Sequence, residues 1–89
     1  MNTLAKPNLL LAQVPLNVAH VVRAVLPSAA MPEWATWLEE IGFITGEHVT
    51  LLARAALGGD PLVVRIGGST FALRVAEANC VHVTLGQVA

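Results

Sequence analysis

Hydrophobic and polar residues alternate with a period of two along much of the second half of the chain. In the stretch after Gly46, for example, Val49, Leu51 and Ala53 alternate with a second set of residues that begins at His48. The same alternation marks four segments, which are Glu47–Ala55, Leu62–Ile66, Phe71–Val75 and Val81–Leu85. Because successive side chains of a strand point to opposite faces, each segment is predicted to be a strand with one face towards the core.

The inward faces of these four strands predict one shared hydrophobic interior. Its expected members are Val49, Leu51, Val64, Ile66, Phe71, Leu73, Val81 and Val83. Residues 58–61 (GGDP) and 67–69 (GGS) separate the strands, and such glycine-rich pairs favour tight turns. A further strand is predicted over residues 19–26, which are largely apolar and β-branched and are followed by Pro27.

A different spacing predicts a short helix between this strand and the alternating segments. Trp34, Trp37, Leu38 and Ile41 lie three or four positions apart, as on one face of a helix. Pro32 suits the first helical position, and a glycine at position 42 suits the residue after the helix, where a left-handed backbone is common.

These elements predict a mostly β protein, with one short α-helix inserted after the first strand. Strands this short in a chain of 89 residues favour a closed or nearly closed barrel, and a small SH3-like β-barrel is the expected architecture. Residues 1–17 are predicted to form an N-terminal tail, and residues 18–89 are predicted to form the barrel domain.

The composition is unusually apolar for so small a domain, with 55% hydrophobic and 12% charged residues. We expect these apolar residues either to fill the core or, in part, to face a partner or another copy of the chain in a homo-oligomer. The five Lys and Arg residues are scattered singly and the net charge is −1, which argues against nucleic-acid binding. The apolar run near the N-terminus is short and interrupted by Pro7 and Pro15, so neither a signal peptide nor insertion into a membrane is expected.

Two spaced motifs stand out in this sequence. Leu38–Phe43, followed by Gly46 and Val49, fits the pattern LxxLGFxxGxxV, with isoleucine in place of the second leucine. Gly59–Pro61, Gly68, Leu73-Arg74 and Glu77-Ala78 match the pattern GDPxxxxxxGxxxxLRxxEA in order and spacing. Together these motifs resemble those of the FeoA-type ferrous iron transport accessory proteins, and the resemblance covers about residues 19–83.

The resemblance implies an SH3-like barrel in the cytoplasm that has no catalytic residues and requires no cofactor. It also implies that the chain binds and modulates the membrane ferrous iron transporter FeoB, whose cytosolic part carries a GTP-binding domain. An alternative hypothesis is a module that binds or senses ferrous iron or another divalent transition metal directly. A similar barrel occurs in metal-dependent repressors, where it follows a helix-turn-helix region; no such pattern precedes the predicted barrel in these 89 residues, so a repressor is not expected.

The inserted helix departs from the family pattern and supplies the predicted partner-binding residues. Relatives usually carry Arg or Lys on its exposed side, whereas this helix is flanked by acidic residues. Tryptophan is enriched among the residues that dominate binding interfaces. We therefore expect Trp37, partly exposed, to bind the partner together with Glu33 and Glu40, with the loop around residues 58–60 as the alternative docking site.

Metal ligands are scarce in the sequence. His20, Glu47 and His48 are the only candidates for a metal site, and we expect them to hold a divalent ion weakly at the surface, because two ligands leave most of its coordination to water. The single cysteine, Cys80, excludes an intrachain disulfide and is expected to be buried.

Overall fold

The computed structural model describes residues 9–86, and its elements confirm the predicted mostly β class. In chain order these are strand β1 (Leu9–Leu10), a 3₁₀ turn (Leu11–Gln13), β2 (Ala19–Val25), helix α1 (Glu33–Glu40), β3 (His48–Arg54), β4 (Leu62–Ile66), β5 (Ser69–Leu73), a short helix α2 (Val75–Ala78) and β6 (Val81–Leu85). No helix among residues 9–86 is long and apolar enough to cross a membrane.

The strands form one antiparallel sheet in the order β1-β6-β2-β3-β4-β5. Its register shifts twice, between Val22 and Ala24 in β2 and between Leu51 and Ala53 in β3. Each shift places an extra residue in one strand, which bends the strand and increases its twist. The sheet therefore curls around a core without closing, and β1 and β5 are its edges.

The predicted interior is confirmed for seven of its eight members, which are at most 3% exposed. These are Val49, Leu51, Val64, Ile66, Leu73, Val81 and Val83. Phe71 is only half-buried, and its ring centroid lies 6.4 Å from that of the fully buried Phe43. This aromatic pair links the edge strand β5 to the segment that follows α1.

The structure differs from the predicted N-terminal tail over residues 9–17, while residues 1–8 of that tail lie outside the described residues. Leu11 and Val14 are buried in the core, and Leu9 pairs with Val83 of β6. Arg54 fixes the same segment, because its Nη2 donates hydrogen bonds to the carbonyl oxygens of Ala12 and Val14, at 3.0 and 2.9 Å. The folded unit therefore begins before residue 18.

Helix α1 lies where the sequence predicts it, and its buried side is centred on Leu38, which is fully buried. Pro32 precedes its first residue in helical conformation, and Ile41 caps its C-terminus. Gly42 then has a φ of +121°, which confirms the expectation of a positive φ at this position.

Candidate functional site

An open cleft lies between α1, the turn that joins β3 to β4, and the end of β5. Its volume is about 640 Å³, and it is lined by Trp37, Asp60, Pro61, Ala72, Arg74 and Glu77. The lining residues come from three separate stretches of the chain, at residues 37, 60–61 and 72–77. The cleft therefore exists only in the folded protein.

Two carboxylates accept backbone hydrogen bonds on the side of the cleft where α2 begins. Glu77 Oε1 accepts a hydrogen bond from the backbone N–H of Arg74 at 2.8 Å, and Asp60 Oδ1 accepts one from the backbone N–H of Val75 at 3.0 Å. The first N–H groups of a helix have no partner within the helix, so these carboxylates satisfy two of them. This geometry gives a physical reason for the spacing of the second sequence motif, since Asp60, Arg74 and Glu77 all belong to it.

The opposite side of the cleft is formed by the exposed face of α1. Trp37 is 37% exposed, as expected, whereas Trp34 is partly buried and packs against the core. Glu33 and Glu40 are exposed and lie four positions before and three positions after Trp37, so the three residues share one face of the helix. Their role in binding a partner stays a prediction.

The structure brings the two predicted docking regions together. Trp37 of the helix and Asp60 of the 58–60 loop line one cleft, so they are parts of a single surface. Three of the lining residues, Ala72, Arg74 and Glu77, were not predicted from the sequence as site residues. The signal for two of them was the motif itself, which places Arg74 and Glu77 at a fixed distance from Asp60 along the chain.

The candidate metal ligands do not share one environment, since His20 is buried whereas Glu47 and His48 are exposed. His20 is 1% exposed, and its Nδ1 donates a hydrogen bond to the carbonyl oxygen of Val18 at 2.9 Å. The prediction that His20 lies at the surface is therefore wrong, because its side chain points from β2 towards the protein interior. Glu47 and His48 are exposed, and no group of three or more His, Cys, Asp or Glu side chains that could hold a metal is found within residues 9–86.

A second cavity, of about 470 Å³, lies beside the connection from β2 to α1. It is lined by Leu26, Pro27, Ser28, Trp34, Ala76, Asn79, Cys80 and His82. Cys80 is 5% exposed, which confirms its predicted burial. Burial raises the pKa of the Cys80 thiol, the negative charge of Glu77 raises it further, and a hydrogen bond from the Ser28 backbone opposes both effects.

The comparison with protein families gives one match, in which the FeoA domain model covers residues 9–85. Among curated proteins, the search finds no match to the sequence.

Solved structures of related proteins share the fold. The crystal structure of Stenotrophomonas maltophilia FeoA is 41% identical, with 82% of this chain and 86% of that chain covered at a TM-score of 0.74. That protein is described as complexed with zinc, and as an SH3 domain protein proposed to act as a bacterial ferrous iron transport activating factor. The solution structure of iron(II) transport protein A from Clostridium thermocellum is 28% identical, with 86% of this chain and 45% of that chain covered at a TM-score of 0.75.

A manganese-dependent transcriptional repressor shares the fold alone. It is 23% identical, with 91% of this chain but 43% of the repressor chain covered, at a TM-score of 0.74.

Proposed function

This chain belongs to the FeoA family, and we propose that it is a non-catalytic accessory protein that binds the membrane ferrous iron transporter FeoB at its cytosolic side and modulates transport. A role in ferrous iron transport follows from the family. We choose the transporter as the partner because the two sequence motifs of this chain resemble the FeoA pattern. The description of the Stenotrophomonas protein as a transport activating factor supports an activating effect.

The observation that carries the proposal is the cleft beside Trp37. A tryptophan that is 37% exposed, on a helix that packs its other side against the core, gives an indole surface that water covers in the free protein. Covering such a surface with a partner is favourable by about 25 cal/mol per Å² of apolar area. Tryptophan is one of the residue types that most often dominate the binding energy of an interface when a partner covers it.

The test is a binding measurement against two separate parts of the transporter, its cytosolic GTP-binding domain and its membrane part. We expect the wild-type chain to bind one of them, and transport of ferrous iron in reconstituted vesicles to change when the chain is added. If neither part binds and transport is unaffected, the proposed function is wrong.

The second candidate function is direct binding of a divalent metal. The zinc complex of the Stenotrophomonas relative, together with the exposed neighbours Glu47 and His48, favours it. An anaerobic titration of the isolated chain with Fe(II) separates the two functions, because a metal-binding module takes up the ion without the transporter. Light scattering with and without a chelator tests whether a bound metal joins two copies into a homo-oligomer.

A further inference from the structure

The strand β5 forms an edge of the sheet right next to the cleft. It pairs with β4 along its whole length, and within residues 9–86 no strand pairs with its other side. Ser69, Thr70 and Ala72 are exposed, so this outer edge is open to solvent.

The hairpin fixes which backbone groups of β5 point outwards. Gly67 and Gly68 form a two-residue turn, and Ile66 pairs directly with Ser69. In a two-residue hairpin the pair next to the turn is hydrogen-bonded, and bonded and non-bonded pairs then alternate along the strands. The N–H and C=O groups of Thr70 and Ala72 therefore point away from β4.

This edge lacks the features that normally prevent an edge strand from pairing with another chain. Natural edges are blunted by lysine, proline, inward-pointing charges or bulges. The five residues of β5 (STFAL) carry no charge and no proline, and their pairing with β4 has no register shift. Four outward backbone groups on a regular strand of this kind form a template for one more strand.

The open edge leads into the cleft, whose lining carries two carboxylates, Asp60 and Glu77, and one guanidinium, Arg74. Ala72 belongs to both the edge and the cleft lining, and the cleft continues from it to Trp37 and Asp60. Glu33 and Glu40 stand on the same helix face as Trp37. A cationic side chain that enters the cleft beside Trp37 meets carboxylates and an indole face, which attract it, and a single guanidinium, that of Arg74, which opposes it.

We propose that the transporter binds through an extended, basic segment, which pairs with the outer edge of β5 and places a lysine or arginine in the cleft against Trp37. This inference rests on the proposed function and adds to it the conformation and charge of the partner segment. A second copy of this chain is a poorer occupant, since it brings the same acidic helix face to the edge and like charges oppose one another.

Hydrogen–deuterium exchange of the backbone amides tests the pairing directly. The probe is the purified full-length transporter in detergent, added in excess to the labelled chain. We expect exchange at Thr70 and Ala72 to slow by about tenfold or more when the complex forms, because amides that enter a strand pairing exchange only when it opens. The amide of Phe71 is the internal control, since it already faces β4 in the free protein.

A matched pair of variants tests the same edge through affinity. Thr70→Pro removes one outward N–H group and leaves the bonds to β4 in place, which edge strands tolerate. Thr70→Val keeps that N–H group. We expect the proline variant to bind the transporter about tenfold more weakly, because it loses one hydrogen bond to the partner strand. The valine variant should bind like the wild type.

The outcomes separate this inference from the proposed function. If the wild-type chain does not bind the transporter, the proposed function fails. If it binds but the exchange at Thr70 and Ala72 is unchanged, the function stands and the edge pairing is wrong. Because the exchange measurement uses the wild-type chain, it decides this point even if the Thr70→Pro variant does not fold. If the two amides are protected without the transporter, increasingly at higher protein concentration, the occupant is a second copy and the inference is overturned.

Discussion

The Asp60 carboxylate is hydrogen-bonded to the backbone N–H of Val75 at 3.0 Å, although the two residues are 15 positions apart. The bond ties the turn between β3 and β4 to the first residue of α2. It also holds one wall of the cleft in place, since Asp60 and Pro61 line the cleft.

Replacing Asp60 is expected to destabilise the fold through this bond. Asp60→Ala leaves the Val75 N–H without its partner, and the loss of a capping side chain typically costs about 1 kcal/mol. Asp60→Asn keeps a side-chain oxygen that accepts the same bond, so its cost should be smaller. Urea unfolding of both variants measures the difference, and an alanine variant as stable as the wild type would show that the bond contributes nothing.

Gly42 is expected to resist substitution because of its backbone conformation. Its φ is +121°, a region that residues with a Cβ rarely adopt, and a Cβ built there would meet the Ile66 side chain only at 3.9 Å, an ordinary contact. Gly42→Ala should therefore cost about 1–2 kcal/mol through backbone strain.

The matched control for Gly42 is Gly68→Ala. A Cβ at Gly68 meets nothing within 4 Å, and its φ lies outside the strained region. Thermal unfolding should show a clearly larger loss for the variant at position 42. Equal losses would mean that the end of α1 does not depend on the positive φ.

The sequence predicted the elements whose periodicity is clear. Strands β3, β4 and β6 alternate cleanly, and α1 has three- and four-residue spacing, so each lies close to its predicted position. Strand β5 instead begins at Ser69, two residues before its predicted start, because Ser69 and Thr70 already pair with β4 directly after the turn. The strand β2 (AHVVRAV) is less informative, because both of its faces carry apolar residues and its register shifts next to Arg23. For this reason the inward direction of His20 could not be read from the pattern.

The parts that the sequence did not predict depend on contacts between distant segments. The two-residue strand Leu9–Leu10 has no period of its own and exists because β6 pairs with it. The cleft likewise needs α1, the β3–β4 turn, β5 and α2 to be adjacent in space. The sequence identified Trp37 and the 58–60 loop as alternatives, and only the fold shows that they border the same cleft.

The buried thiol of Cys80 predicts a pH dependence of stability. Its pKa is raised in the folded protein, first by burial and then by the negative charge of Glu77, so the folded state favours the neutral thiol. The resulting stabilisation is fully present below the pKa of the thiol in the unfolded chain. It is lost as the pH rises through the higher pKa of the folded state.

Two measurements check the state of Cys80. Alkylation by iodoacetamide should be much slower in the native protein than in urea, because the reactive thiolate is both scarce and covered. The decline in stability at alkaline pH should be smaller in Cys80→Ala than in the wild type. Rapid alkylation of the native protein would contradict the buried, neutral thiol.

A divalent metal is expected to bind the isolated chain only weakly. Glu47 and His48 are exposed neighbours, and two protein ligands leave a zinc ion largely coordinated by water. Because a histidine ligand must be neutral, acidification should weaken the binding. His48→Ala should abolish it, whereas His82→Gln, which changes a half-buried histidine beside the second cavity, should not. Calorimetry that finds submicromolar affinity at one site per chain would contradict this prediction and favour the metal-binding function.

The exposed indole of Trp37 is expected to anchor the transporter in the cleft. Trp37→Ala should leave the fold intact, because this side chain is 37% exposed and is absent from the buried core, and circular dichroism and thermal unfolding check this first. The loss of an anchoring tryptophan from an interface costs about 2–4 kcal/mol, which corresponds to roughly 30- to 1,000-fold in affinity. The matched control is Leu85→Ala, which truncates a side chain that is 55% exposed and does not line the cleft. If folded Trp37→Ala protein binds the transporter as tightly as the Leu85→Ala control does, α1 is not the docking face. The transporter would then have to contact the 58–60 loop and the edge of β5 without the helix.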